Sequence, residues 1–482
     1  MQKNGFLKQF TIIGGGTFFN LLLGLFSTPV ITRIVAPSEY GQLSIFTMYS
    51  GIALMVLCMG LDQAVVRYYY EKENLKYKQA LLFRCIVIPV IASLIITIIV
   101  MAMSLFHIVN FEFDSLIMFF LCVFTFDQVI YRFSLLIVRL ERNVKLFSLL
   151  QILQKLIYII VALGLCYTIK ENYLLLLVIA TVVSYFVCMV VSIIAQKSMW
   201  NFKTVDVSNC TVSMSELMKY SVPFILSMGV TTLFQAIDKI SLNYYCTYTE
   251  VGIYSSTMTL VHIFAIVQTA FNTLWAPMSV EHYTKYPEDT QFHKSANQII
   301  TVVMFFLGIS LILVKEIFAI LLGSKYREAA YILPFLIFNP IMYTISETTV
   351  AGLVFKKKSN LQVLVAVGAC VTNIIGNSIL VPQIGCQGAA ISTGISYIVF
   401  YLLRTLLGMR YYYVDFKVTR FCMLTMIVSF YAFYNTFNPF SIFSILGYFI
   451  CLIAIIFLYR KTVIWMLQYG VDFIKSCTRK KV

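Results

Sequence analysis

Lysine and arginine recur on every second link between long apolar runs, and that alternation leaves the chain few folds to adopt. Fourteen such runs lie at about 11–32, 41–65, 80–104, 115–138, 147–168, 173–196, 219–245, 251–277, 296–314, 331–353, 361–381, 387–408, 418–435 and 441–459. Each is close to the ~20 residues a helix needs to cross the hydrocarbon of a bilayer. With the N-terminus inside, the inward links hold 26 of the 36 Lys and Arg. The outward links hold five: Arg33, Lys170, Lys315, Lys325 and Arg327. The last five stand within the runs. Basic residues gathered on one side set helix orientation, and one miscounted helix would break the pattern. The net charge of +15 is thus a topology signal that calls for no nucleic-acid partner.

Only 12% of the 482 residues are charged, about half the share in a typical soluble domain. No link exceeds roughly 20 residues, too few for an extramembrane domain. The first run is too long for the core of a cleaved leader and reads as a retained helix. The expected fold is an all-α polytopic membrane protein with 14 transmembrane helices. The 12 cysteines form no CxxC pair, and His107, His262, His282 and His293 are isolated. No metal site and no cofactor is expected from these spacings. Cys246 and Cys386 fall on outward links, where pairing stays open.

A short phrase occurs twice. "SEYGQLS" at 38–44 and "TEVGIYS" at 249–255 each follow a spanning run and keep Glu, Gly and Ser in step, 211 residues apart. Lys8 and Lys219 open the preceding runs at the same offset. Six runs separate the copies, so both point the same way, as in a parallel repeat of six-helix halves. Turn chemistry after a helix accounts for the same residues. The expected organisation is a six-helix lobe over 1–200, a second over 201–412, and two further helices with a basic tail over 413–482.

"APSEYGQLSIF", "GLDQAVVRYYYE", "DKISLNYYCTYTEVGIYS" and "GCQGAAISTGIS" together resemble Wzx-type polysaccharide flippases of the MATE-like (multidrug/oligosaccharidyl-lipid/polysaccharide) exporter superfamily. The resemblance covers the whole chain. It implies a transporter and not an enzyme, with no catalytic residues. It moves an undecaprenyl-diphosphate-linked oligosaccharide, an O-antigen or capsule repeat unit, across the bacterial inner membrane by alternating access. It further implies H+ or Na+ as coupling ion, both termini cytoplasmic, a cavity between the lobes, and other polysaccharide-assembly membrane proteins as partners. A multidrug exporter or a lipid II flippase of the same superfamily is the near alternative. A glycan polymerase or ligase is more distant, because such enzymes need a sizeable outward loop with paired Arg or His.

Charges inside the runs mark the candidate site, since each costs about 2.5–3.5 kcal/mol at a helix centre on the insertion scale. Lys155 stands roughly 12 Å into its run. Arg132 and Asp127, five residues apart, are separated by roughly 140° around one helix and do not share a face. Asp238 and Lys239 are adjacent, so neither neutralises the other and each needs a partner elsewhere. A diphosphate crossing hydrocarbon calls for hydrated cations, which makes Lys155, Arg132 and Lys239 the anion-binding candidates. Asp127, Asp238 and Glu347 are candidates for ion coupling or charge balance. Asn20, Gln235 and Asn373 are candidates for sugar contact. Interhelical pairing explains every one of these residues equally simply.

Overall fold

The computed structural model describes residues 22–109, 111–202, 205–358 and 360–479, without the side chains of 226, 227, 265 and 470–479. Asn20 lies outside the described residues, as does the chain before residue 22. Among the described residues only helices and turns occur. A backbone in hydrocarbon must satisfy its polar groups internally, and an apolar helix does so within one segment.

The first half runs through α1 (Leu22–Ile34), α2 (Pro37–Cys58), α3 (Leu61–Tyr68), α4 (Leu75–Leu105), α5 (Ser115–Leu140), α6 (Val144–Thr168) and α7 (Tyr173–Ala195) to α8 (Met214–Tyr245). Then come α9 (Tyr248–Val261), α10 (Phe264–Lys285), α11 (Thr290–Leu313), α12 (Lys315–Leu321), α13 (Ala329–Leu336), α14 (Phe338–Thr349) and α15 (Ala351–Phe355). α16 (Asn360–Tyr411), α17 (Val418–Phe437), α18 (Ile442–Leu458) and α19 (Arg460–Arg479) close the chain. Among the described residues every expected span carries a helix or a broken helix, the first only from residue 22 onward. By length and apolarity, nine described helices can cross a membrane, or eleven if each bent pair is one span. α16 enters that count once although it contains two of the expected spans. The last helix, α19, was not anticipated: its residues read as a basic tail. Contacts divide the chain into two units, 1–236 and 237–482, with the boundary inside α8.

Asparagine and aspartate side chains start several helices. Asn74 accepts from the Lys76 N–H at α4, Asn143 from Leu146 N–H at α6, and Asp289 from Gln291 N–H at α11. Each satisfies a backbone donor that the first helical turn leaves open. In the first unit, Leu61, Val65, Tyr77, Leu81, Phe133 and Leu217 share one buried core. α3 starts at Gly60, whose φ is +72°. A side chain there would overlap the Ser221 carbonyl on α8, so only glycine allows this approach.

The repeated phrase places its glutamates alike, each at the third position of a helix that follows a short turn. Glu39 accepts from the Ala36 N–H at 3.1 Å and closes the start of α2. Glu250, at the start of α9, reaches out of its own helix and accepts from the Cys386 N–H at 2.6 Å. That amide opens the second limb of α16. The break lies at Ile384 (φ −135°) and Gly385 (φ +55°). The limbs then fold back on each other, with Gly376 against Ser392 and Gly368 against Leu403, closer than a larger residue would permit. Small residues at such crossings let helix backbones approach. Cys246 and Cys386 are both free thiols.

Gly385→Ala places a methyl group into the Glu250 carboxylate at a backbone angle that L-residues avoid. The backbone term alone costs about 1–3 kcal/mol. The variant is expected to show a lower thermal unfolding midpoint in detergent; a midpoint equal to wild type would mean the reversal is unconstrained.

Candidate functional site

In the first unit the intramembrane charges divide into a paired and an unpaired set. Arg132 on α5 donates from Nε (3.0 Å) and Nη2 (2.6 Å) to Asp62 Oδ2 on α3. Gln63 donates to the same oxygen at 3.0 Å. The Asp62 side chain is 4% exposed and that of Arg132 34%, so the carboxylate is sealed while the guanidinium keeps an open edge. Asp62 is therefore the partner that holds Arg132. The helical spacing of Asp127 and Arg132 keeps them apart as expected. Asp127 is buried (3%), and its Oδ2 has no partner among the described residues.

Lys155 is half-buried on α6. Its ammonium lies 5.3 Å from the centre of the Tyr158 ring, a cation–π contact. Its stem passes Gly24 on α1. It makes no ion pair or hydrogen bond with a described residue.

The second unit holds a denser constellation. Asp238 on α8 is 6% exposed. Its Oδ1 accepts from Asn377 Nδ2 at 2.9 Å. Its Oδ2 accepts from Tyr254 Oη at 2.6 Å and Thr393 Oγ1 at 2.7 Å. Asn377 also donates to Asn373 Oδ1 at 2.8 Å, and Asn373 Nδ2 reaches Thr393 and Ser396, each at 3.3 Å. The donors come from α9 and from both limbs of α16, so the tight reversal at Gly385 is what brings Asn377 and Thr393 onto one carboxylate. Asn377 Oδ1 is buried without a partner. Asn373 serves this network.

Lys239, the next residue, is half-buried and makes no hydrogen bond or ion pair with a described residue. Asp238 and Lys239 thus point apart, as adjacent helical residues must. His262 lies within electrostatic reach of Lys239. Gln235, one turn back along α8, is exposed.

Glu347 on α14 is paired by a residue the sequence reading left unnamed. Arg404, on the second limb of α16, donates from Nη1 to Glu347 Oε1 at 2.8 Å and to Ser346 Oγ at 2.7 Å. Its guanidinium lies 5.6 Å from the Tyr343 ring centre and 5.5 Å from that of Phe400. Arg404 is one of the five cations within runs, and the need of Glu347 for a partner was the available signal. Lys315, counted on an outward link, is fully buried. It donates to the carbonyls of Asn435 and of Asn438, the latter at 2.6 Å, and closes the C-terminal end of α17. Arg84, the remaining cation within the runs, donates to the carbonyls of Val212 (2.5 Å) and Val207 (2.9 Å). Among the described residues, Lys155 and Lys239 therefore stand out as the intramembrane cations with neither a carboxylate nor a carbonyl partner. No group of three or more His, Cys, Asp or Glu that could hold a metal occurs among the described residues.

This helical arrangement is shared with membrane transporters. A lipid II flippase, MurJ, in an inward closed conformation matches with a TM-score of 0.69 at 14% identity, over 95% of this chain and 99% of that one. A MATE protein in complex with MaD5 matches at 0.56 and 16% identity, over 84% and 95%. An inward-facing multidrug resistance MATE family transporter of the MOP superfamily matches at 0.52 and 16%, over 82% and 94%. The protein is thus a multi-pass membrane protein with the fold of that superfamily. Residues 6–283 match the family described as polysaccharide biosynthesis protein, and the chain belongs to it. No curated protein sequence matches it.

Removing one partner of a sealed ion pair leaves a bare charge, at a cost of about 3–5 kcal/mol. Arg132→Gln is therefore expected to reduce the yield of monodisperse protein, and the added change Asp62→Asn to recover most of it. Lys155→Met, with no ion pair to break, is expected to match wild type in the same size-exclusion measurement.

Proposed function

We propose that the protein is a flippase that carries an undecaprenyl-diphosphate-linked oligosaccharide across the bacterial inner membrane by alternating access. The observation that carries this reading is the pair of half-buried, carboxylate-free lysines, Lys155 in one unit and Lys239 in the other. An ammonium without a counter-ion inside a membrane protein is costly unless it meets water or an anion. A lipid diphosphate supplies that anion, and Arg132, with its open edge, adds a fork suited to phosphate oxygens. Family membership supports a role in polysaccharide assembly, and the fold match to a lipid II flippase supports a lipid-linked cargo. The bias of Lys and Arg along the chain supports cytoplasmic termini. An O-antigen or capsule repeat unit is the cargo class this reading favours, with neighbouring polysaccharide-assembly membrane proteins as partners.

Asp238 is the proposed seat of the coupling ion, H+ or Na+. Its oxygens, Thr393 Oγ1, Asn373 Oδ1 and the unpartnered Asn377 Oδ1 are oxygen donors of the kind hard cations prefer, and a cation bound there would displace the Asn377 N–H now shared by Asp238 and Asn373. A proton on Asp238 Oδ2 would instead be accepted by the Thr393 or Tyr254 hydroxyl after that hydroxyl turns. The second reading, a multidrug exporter, rests on Asp127, a buried carboxylate suited to a cationic substrate.

Lys155→Met and Lys239→Met are expected to abolish surface polysaccharide and to accumulate its lipid-linked precursor, with the protein still in the membrane. Lys155→Arg should retain part of the activity. Normal polysaccharide in both Met variants would overturn the anion-binding role of each lysine. Raised drug susceptibility with normal polysaccharide in Asp127→Asn would favour the exporter. If Na+ couples, it should raise the unfolding midpoint of wild type over K+ at equal ionic strength, and Asp238→Asn should remove that shift.

A further inference from the structure

Two pairs of cysteines lie within electrostatic reach of each other, and they stand on opposite sides of the spans. Cys85, near the start of α4, faces Cys210, on the inward link between α7 and α8. Cys246, in the turn between α8 and α9, faces Cys386, at the reversal of α16. The turn and the reversal are both outward in the topology that Lys and Arg set. Thiols on the cytosolic side are kept reduced, whereas the compartment outside a bacterial inner membrane oxidises them.

The outward pair shares one polar cavity. Cys246 and Cys386 line it together with Glu250, Glu328 and Gly385, and its volume is about 700 Å³. The Glu250 carboxylate sits against both cysteines. Cys246 Sγ is within hydrogen-bonding reach of it, and the Cys386 N–H donates to its Oε2 at 2.6 Å. Cys246 Sγ also reaches the Val381 carbonyl, at 3.8 Å, on the limb that enters the reversal. Cys386 is buried and Cys246 is the more open of the two.

We propose that Cys246 and Cys386 are joined in a disulfide, made by exchange with a protein disulfide donor of the outer compartment, that ties the α8–α9 turn to the α16 reversal. Cys246, the more open thiol, loses its proton and attacks one sulfur of the donor disulfide, whose other sulfur leaves as a thiolate. Cys386 then loses its proton, attacks Cys246 Sγ in the mixed disulfide, and expels the donor's remaining sulfur. One S–S bond forms in this chain and one is lost from the donor, which takes up both electrons and both protons. Burial first, and then Glu250, push the Cys246 thiol up to about 11. The attacking thiolate is therefore scarce, which calls for a strongly oxidising donor. Once closed, the bond leaves Glu250 its Cys386 N–H and braces the reversal that brings Asn377 and Thr393 to Asp238. The assignment rests on the proposed orientation with cytoplasmic termini, and not on what the protein carries.

The test uses the full-length protein in bacterial cells. Cells are quenched in acid, alkylated with N-ethylmaleimide under denaturing conditions, and the protein is digested without reductant. Mass spectrometry is expected to find the Cys246 and Cys386 peptides joined in most molecules, and Cys85 and Cys210 each alkylated. If Cys246 and Cys386 are both alkylated, and stay unjoined when the purified protein is treated with diamide, the pairing is overturned. If they are alkylated in cells but joined by diamide, the pair fits and meets no oxidant, and the outward placement is what falls. In detergent, dithiothreitol is expected to lower the unfolding midpoint of wild type and to leave that of Cys246→Ser unchanged. An equal downward shift in both would overturn the brace.

Discussion

Hydrocarbon cannot solvate a charge, and the arrangement of this protein's interior follows from that. Each ionised side chain within the spans has to find a partner, find water, or carry a function. Arg132 takes Asp62, Arg404 takes Glu347, and Lys315 takes the closing carbonyls of α17. Asp238 takes three neutral donors instead of a cation. Lys155 and Lys239 take no carboxylate among the described residues. The first group binds helices to one another; the remainder carry the transport chemistry proposed above.

The architecture was largely legible because a membrane imposes one pattern on a sequence. Apolar length gives the spans, and the side on which Lys and Arg gather gives their direction. The repeated Glu-x-Gly was legible as a helix start, and both copies begin a helix. What differs is the reach of the carboxylate. Glu39 closes its own helix, while Glu250 crosses to the turn at Gly385. Nothing within seven residues of sequence distinguishes those outcomes, because the partner lies 136 residues further on.

The candidate site was legible only as a set of residues. Intramembrane charge singled out Lys155, Arg132, Lys239, Asp127, Asp238 and Glu347, but partnership is a long-range property. Asp62 sits 70 residues from Arg132, and Arg404 sits 57 from Glu347. Helical spacing could show that Asp127 and Arg132 diverge; it could not show what each meets instead. Tyr254 and Thr393 gave no signal of their own, since a lone hydroxyl in a span is ordinary. α19 was hidden for another reason: its charged and polar residues keep its hydropathy below that of a spanning helix, so it reads as a tail.

The Asp238 constellation also constrains the order of assembly. Asp238 is synthesised 139 residues before Asn377 and 155 before Thr393, the groups that make its burial tolerable. During biogenesis α8 therefore enters the bilayer with a carboxylate whose one early donor is Tyr254, 16 residues on, and its remaining donors come only with the hairpin. The two limbs of α16 face no such delay. Asn373 finds Thr393 and Ser396 within the same hairpin, so those groups are satisfied before the hairpin meets the waiting aspartate.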